Sequence, residues 1–329
     1  MKIGKMVAVV DSHTCGEPTR IVIGGAPIFR GASMAEKWVD FRHNHNDFRR
    51  FIMTEPRGHA DMFGAIMVPP VNEEADTGVI FCDSGGSVSM CGHGSIGLAS
   101  AMVNLHMVQV YEPYTYVKLD TPAGLVTLKV EVVHGEAVSA TLQNVPSFVY
   151  ARGLDLHLPS LGRTEVHICF GGSFSRSRTP RISALTSCRR APLIRLGVEV
   201  IGANRHYGHH PQIPMNNKIL LAEFGLHRDG EHARNCVIFG ACNVDRSPCG
   251  TGTCAKMALL ADRGDLAPNE PFLHESILGT LFEGRYEEGP MIGDYHSIIP
   301  FIKGSANIVG FNWLISHEND PLLPGFLLH

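Results

Sequence analysis

The chain has 329 residues, of which 44% are hydrophobic and 18% charged, and its formal net charge is −4. That length suits two domains and that balance an ordinary folded protein. It has no long basic run or aromatic-and-basic stripe, which excludes nucleic acid as an expected partner. Nor does any apolar run approach the roughly 18 residues of a membrane span.

In chain order, "MKIGKMVAVV" ends in a short apolar run that meets Asp11 and Ser12 at once, which reads as a first strand rather than a signal peptide. Short apolar segments bounded by glycine and proline predict further strands at 20–25, 64–70, 78–83, 125–133, 137–145, 218–224 and 235–240. Helical period is clearest at 33–50, 94–104, 191–203 and 253–263. Strands interleaved with few helices predict a mixed α/β or α+β architecture. "LDTPAG" (119–124) marks the expected break between halves, and "GSANIVGFNWLI" (304–315) a strand returning to the first half. The expected domains are therefore 1–120 with about 305–329, and 121–304. The stretch 175–190 carries Arg176, Arg178, Arg181, Arg189 and Arg190 without strand or helix period. It reads as a basic surface loop, or else as a locally unreliable stretch of sequence.

Nine cysteines without a CxxC pair, and no His/Cys cluster at zinc spacing, point to free thiols in a reducing cytoplasm and to no metal site. "HNH" (43–45) and "HH" (209–210) lack a second ligand cluster.

One motif occurs twice. "SMCGHGSIGLAS" (89–100) and "SPCGTGTCAKMA" (247–258) both read Cys-Gly-x-Gly-Ser/Thr and both run into a helical segment. A helix start exposes unpaired N–H groups and a positive dipole end. Such a start binds an anion and favours thiolate over thiol, whose ordinary pKa is about 8.5. Each turn thus supplies an acid/base group and half of a carboxylate cradle. Two copies, one per domain and facing each other across a cleft, suit inversion of a stereocentre beside a carboxylate. One thiolate takes the Cα proton while the opposite thiol returns one, and the N–H groups stabilise the charge that builds on the carboxylate. The competing readings are a pair of core cysteines, a redox pair, and a phosphate loop, which would need GxxxxGK(S/T).

With these residues in hand, the sequence resembles the proline racemase family, which includes 4-hydroxyproline 2-epimerases and trans-3-hydroxyproline dehydratases. The resemblance runs through "DSHTCGEPTRIV" (11–22), "EPRGHADMFGAI" (55–66), "MCGHGSIG" (90–97), "LDTPAGLV" (119–126), "FGGSF" (170–174), "VDRSPCGTGT" (244–253), "HESILGT" (274–280) and "DPLLPGF" (320–326). It implies a diaminopimelate-epimerase-like fold: two similar domains, each wrapping strands about a central helix, with the site in the cleft between them. It implies Cys91 and Cys249 as catalytic thiols, and Gly92, His93, Gly250 and Thr251 around the carboxylate and ring. Asp245 would accept a hydrogen bond from the ring nitrogen, a role His93 could share; otherwise both would be structural residues of their turns. Cys254 and Cys15 are expected to be structural.

The resemblance further implies a small imino acid as substrate, no cofactor, no metal and no membrane, with a homodimer open as the assembly. Because the dehydratases lack one thiol, Cys249 favours racemisation or epimerisation, and "MCGHG" followed by a hydroxyl residue resembles the 4-hydroxyproline epimerases, with proline racemase as the alternative. A non-catalytic carboxylate-binding protein is the reading from another class.

Overall fold

A computed structural model describes residues 3–178, 190–203, 208–213, 219–226, 233–240 and 243–328. The chain divides into two compact units, Met1–Leu142 with Ser305–His329, and Gln143–Gly304.

The first unit contains β1 (Ile3–Thr14), β2 (Glu17–Gly24), α1 (Met34–Asn44), α2 (Asn46–Met53), β3 (Phe63–Val68), β4 (Thr77–Asp83), β5 (Ser87–Val88), α3 (Gly92–Asn104), β6 (Tyr114–Thr121), β7 (Gly124–Val133), β8 (Glu136–Gln143) and, returning from the far end of the chain, β18 (Ala306–His317). Its strands run β18–β1–β2–β3–β4–β6–β7; β2–β3 and β4–β6 are parallel and the other neighbours antiparallel. The parallel pairs sit where α1 with α2, and then α3, carry the chain across, as parallel pairing requires. The predicted helix at 33–50 is two helices that meet at His45. The turn at 119–124 closes a hairpin, Thr121 opposite Gly124, and the division between the units falls later, after Leu142.

Helix α3 packs against β1, β2, β3, β6, β7 and β18, and every residue from Gly92 to Val103 is buried. A helix apolar all round is stable only inside such a wrapping. Its close fit shows at Gly97, where a Cβ would lie 3.1–3.4 Å from the hydroxyls of Thr14, Thr19 and Ser12.

The second unit contains β9 (Ser147–Leu158), β10 (Gly162–Phe170), β11 (Phe174–Arg178), α4 (Arg190–Gly202), β12 (Ile219–Leu226), β13 (Ala233–Phe239), β14 (Asn243–Val244), α5 (Gly250–Arg263), β15 (Phe272–Glu275), β16 (Leu281–Glu288) and β17 (Ser297–Gly304). Its strands run β9–β10–β11–β12–β13–β15–β16–β17, with β11–β12 and β13–β15 parallel. The ring closes where Phe148 of β9 pairs with Ser297 of β17. Helix α5 packs against β9, β10, β11, β16 and β17. The two units therefore repeat one plan, strand for strand: antiparallel pairs, a helical crossover, a hairpin with a two-residue strand, a buried central helix, and a parallel return.

The sequence motifs quoted above turn out to hold this plan together. Arg20 of β2 chelates Asp11 at 2.8 and 3.0 Å and donates to the carbonyl of Ile52 in the last turn of α2 and to that of Arg57 in the loop beyond it. Arg57 donates to Phe51 (3.0 Å) and Leu323 (2.7 Å), and its guanidinium lies 4.3 Å over the Phe51 ring. "EPRG" and "DPLLPG" are thus two sides of one clasp on the C-terminal segment. Arg176 does in the second unit what Arg20 does in the first. The expectation of a basic surface loop fails there: 174–178 is a strand, and Arg176 is wholly buried, donating to the carbonyls of Val200 and Ala203 at the end of α4. A cation suits those carbonyls because they carry the negative end of the helix dipole. Residues 179–189 lie outside the described residues.

Candidate active site

Each cysteine turn follows the two-residue strand of its unit and opens the central helix. Cys91 is the N-cap of α3, with φ −144° and ψ 123°, and its sulfur accepts from the Gly94 N–H at 3.4 Å. Its carbonyl accepts from the Ser95 hydroxyl at 2.7 Å. A Cβ at Gly94 would lie 3.0 Å from the Phe81 ring and 3.3 Å from the Cys91 sulfur, so a side chain there would push ring and sulfur aside by a few tenths of an ångström. The N–H groups of Gly92 and His93 precede the first intrahelical acceptor and are the donors that a helix start leaves over.

His93 is buried, with Nδ1 3.2 Å from the Cys91 sulfur and its ring edge-on to Phe63 at 4.6 Å. Burial pushes its pKa down to about 3, against a hydrogen bond with the Pro18 backbone, so the ring is neutral at physiological pH. The Thr14 hydroxyl donates to the His93 carbonyl at 2.8 Å and ties the turn to β1.

Cys249 is the N-cap of α5, and its sulfur accepts from the Gly252 N–H at 3.3 Å. Its backbone differs from that of Cys91: φ is 65° and ψ 113°, a left-handed value that a residue with a Cβ rarely takes. The Thr251 hydroxyl lies 3.9 Å from the sulfur, and the N–H groups of Gly250 and Thr251 are the leftover helix-start donors. Gly171 of "FGGSF" is a packing glycine: a Cβ there would run into the Thr251 carbonyl and the Ala255 nitrogen.

Asp245 is buried, and its Oδ1 accepts from the Ser247 N–H at 2.8 Å and hydroxyl at 2.7 Å. Burial raises its pKa to about 6; the Ser247 hydrogen bonds, one from the Cys249 side chain and the Arg246 charge all oppose the rise. The Cys249 N–H donates to the Ser247 hydroxyl at 3.0 Å, so Ser247 couples the carboxylate to the cysteine. Sequence reasoning missed Ser247, although an Asp two residues before a Ser is a recognisable side-chain turn.

Cys91, Gly92 and His93 thus gather in the first unit, and Asp245, Cys249, Gly250 and Thr251 in the second. Three of the four other buried thiols among the described residues differ from the two caps. Cys82, Cys169 and Cys254 are at 0% exposure against 7% for Cys91 and 5% for Cys249. Burial raises all three, Cys254 to about 12, which keeps them protonated and unreactive. Cys15 is half-buried and donates a long hydrogen bond of 3.9 Å to the Ser305 carbonyl. Cys188 and Cys242 lie outside the described residues. Among the described residues no three His, Cys, Asp or Glu side chains gather as a metal site, and no helix is long and apolar enough to cross a membrane.

Comparison with known proteins identifies the family. The profile of the Proline racemase family matches residues 9–327. A proline racemase from Clostridioides difficile is 41% identical over 336 aligned residues, covering 100% of both chains. A 4-hydroxyproline epimerase from Brucella suis is 38% identical, covering 96% of this chain and 97% of its own. The crystal structure of a hydroxyproline epimerase from Agrobacterium vitis, with trans-4-hydroxy-L-proline bound, superposes with a TM-score of 0.94 at 29% identity, covering 100% of this chain and 97% of that one. With its duplicated plan and its two cysteine-capped central helices, the chain belongs to the proline racemase family, and the racemase and epimerase relatives above are isomerases.

Proposed function

We propose that the protein inverts the α-carbon of a proline-type imino acid by two-base proton transfer without a cofactor. The observation that carries this reading is the pair of cysteines that cap the two central helices, each beside leftover N–H donors. The chemistry requires one sulfur on each face of the ring. In one direction the Cys91 thiolate removes the Cα proton and the Cys249 thiol delivers one to the opposite face; the reverse reaction exchanges the roles. The N–H groups of Gly92, His93, Gly250 and Thr251 hold the substrate carboxylate, where charge accumulates as the proton leaves. Asp245, ionised above pH 6, accepts from the ring ammonium. His93, being neutral, exchanges a hydrogen bond with whichever form the Cys91 sulfur takes.

4-Hydroxyproline is the first substrate reading, on the resemblance of "MCGHG" with the hydroxyl residue after it to the epimerases; a hydroxyproline epimerase and a probable proline racemase superpose equally, each at a TM-score of 0.94. Proline is the second, favoured by the higher identity to the proline racemase, 41% against 38%. A mechanism that works through two reduced thiols, Cys91 and Cys249, fits a reducing cytoplasm, and a homodimer completes the proposal, to be read by light scattering.

The deciding experiment incubates the protein in deuterated water with L-proline, trans-4-hydroxy-L-proline or trans-3-hydroxy-L-proline. Deuterium at Cα with inversion is expected for one of the first two and is lost in Cys91→Ser and Cys249→Ser. Loss of water from the third substrate would identify a dehydratase. Binding without exchange would identify a carboxylate-binding protein.

A further inference from the structure

Behind the second cysteine turn runs a buried polar chain drawn from β12, β13, β15 and α5. The Pro248 carbonyl, one residue before Cys249, accepts from Asn235 Nδ2 at 2.8 Å and from the Thr253 hydroxyl at 3.2 Å. Thr253 Oγ1 is 2.9 Å from His274 Nδ1, and His274 Nε2 is 3.9 Å from Glu223 Oε1. Glu223, Asn235, Thr253 and His274 are all buried to within 1%. Inside such a chain the direction of each hydrogen bond is constrained. A carbonyl only accepts; pinning by Thr253 requires it to give its single hydroxyl proton to Pro248, in which case His274 carries its proton on Nδ1. Burial and the Lys256 charge keep His274 neutral, with its pKa near 3.

The first turn lacks this arrangement. There Ser95, which stands where Thr253 stands in its helix, donates to Cys91's own carbonyl, and Cys91 has ordinary extended dihedrals. The two turns share a sequence pattern and differ in backbone: only Cys249 is left-handed, at φ 65°. Such a conformation persists only where the surroundings impose it.

We infer that Asn235, Thr253 and His274 are positioning residues that pin the Pro248 carbonyl and so impose the left-handed backbone that aims the Cys249 sulfur. The effect on turnover rests on the proposed acid/base role of Cys249; the effect on the thiol itself does not. The titratable and charged groups around the turn are Asp245 and Arg246 within it, Lys256 on α5, Glu223 on β12 and His274 on β15.

The test uses full-length Thr253→Val and His274→Leu, with Thr253→Ser and His274→Asn as conservative partners that keep the hydroxyl and a donor near Nδ1. Iodoacetamide alkylation of Cys249 and of Cys91 is followed against pH by peptide mass spectrometry, alongside kcat and KM for both ring substrates. Thr253→Val and His274→Leu are expected to shift the Cys249 profile by about half a pH unit or more and leave Cys91 unmoved. They should lower kcat about tenfold while KM stays within about threefold, and the conservative variants should recover most of the loss.

A Cys249 profile and kcat within about twofold of the parent would overturn the inference, as would losses that Thr253→Ser and His274→Asn fail to rescue. Where a variant does not fold, nitrogen-15 spectra of the parent protein decide: an Nε2–H tautomer at His274 overturns the inference. A shifted Cys249 profile in a protein that turns over neither substrate would uphold the inference and remove the proposed activity instead.

Discussion

Gly252→Ala separates packing from chemistry at the second turn. The added Cβ would stand 3.0 Å from the Cys249 sulfur, 3.2 Å from its Cβ and 3.5 Å from Val237 Cγ2. An ordinary contact needs about 3.5–4.0 Å, so the sulfur must give by several tenths of an ångström. The helix gains from the change, because alanine is favoured over glycine in a helix by about 1 kcal/mol. That gain offsets the clash, and net stability should move by less than about 1 kcal/mol. Catalysis has no such compensation: a misplacement of about 1 Å can cost on the order of 100-fold, so a shift of several tenths predicts about a tenfold fall in kcat. The assay is Cα deuterium exchange by NMR together with thermal melting. Gly264→Ala serves as the control, since Gly264 ends the same helix at φ 75° in the left-handed form that favours glycine. It should lose about 1 kcal/mol of stability and leave kcat unchanged. A folded Gly252→Ala protein with unaltered kcat would refute the placement of the sulfur as a working group.

Two further outcomes follow from the geometry. Asp245 has a raised pKa of about 6 in the folded chain, against about 3.9 when unfolded. Its ionised form therefore weighs against folding above pH 6, and the penalty fades as pH falls from 6 toward 4. Activity moves the other way: kcat/KM should fall below pH 6 as the acceptor for the ring ammonium is protonated. Asp245→Asn should abolish both the limb and the stability gain, and persistence of the same limb in that variant would assign it to another group. Arg57→Ala removes hydrogen bonds to Phe51 and Leu323 and the ion pair with Asp320. It should cost about 2–4 kcal/mol and expose 320–328 to limited proteolysis, with kcat per folded molecule unchanged. Unaltered proteolysis would show that the clasp does not hold the segment.

The cysteine turns were legible in the sequence because a helix cap is a local device: the cap and the N–H that it accepts are three residues apart, as in Cys91 with Gly94 and Cys249 with Gly252. The four helices fell near their predicted places for the same reason, except that 33–50 breaks at His45. The long hairpin β9–β10, the short β15 and the ring closure at Phe148 and Ser297 gave no comparable signal, because strand pairing joins residues far apart in the chain. Arg176 shows the limit most plainly. Counted along the sequence it belongs to a basic cluster, yet its guanidinium is buried because α4 ends against it with carbonyls to satisfy.

Sequence alone determined that two cysteine-led turns open two helices, that glycine follows each thiol, and that Asp245 lies four residues before the second. Tertiary structure decided what those turns are. It wrapped each helix in a repeated order of strands and kept His93 neutral by burying it. It also raised Asp245 and set Cys249 in a left-handed conformation that Cys91 does not share. The physical reason is that burial, and the hydrogen bonds that compensate it, come from residues such as Asn235 and His274 whose nearness to the turn exists only once the chain has folded.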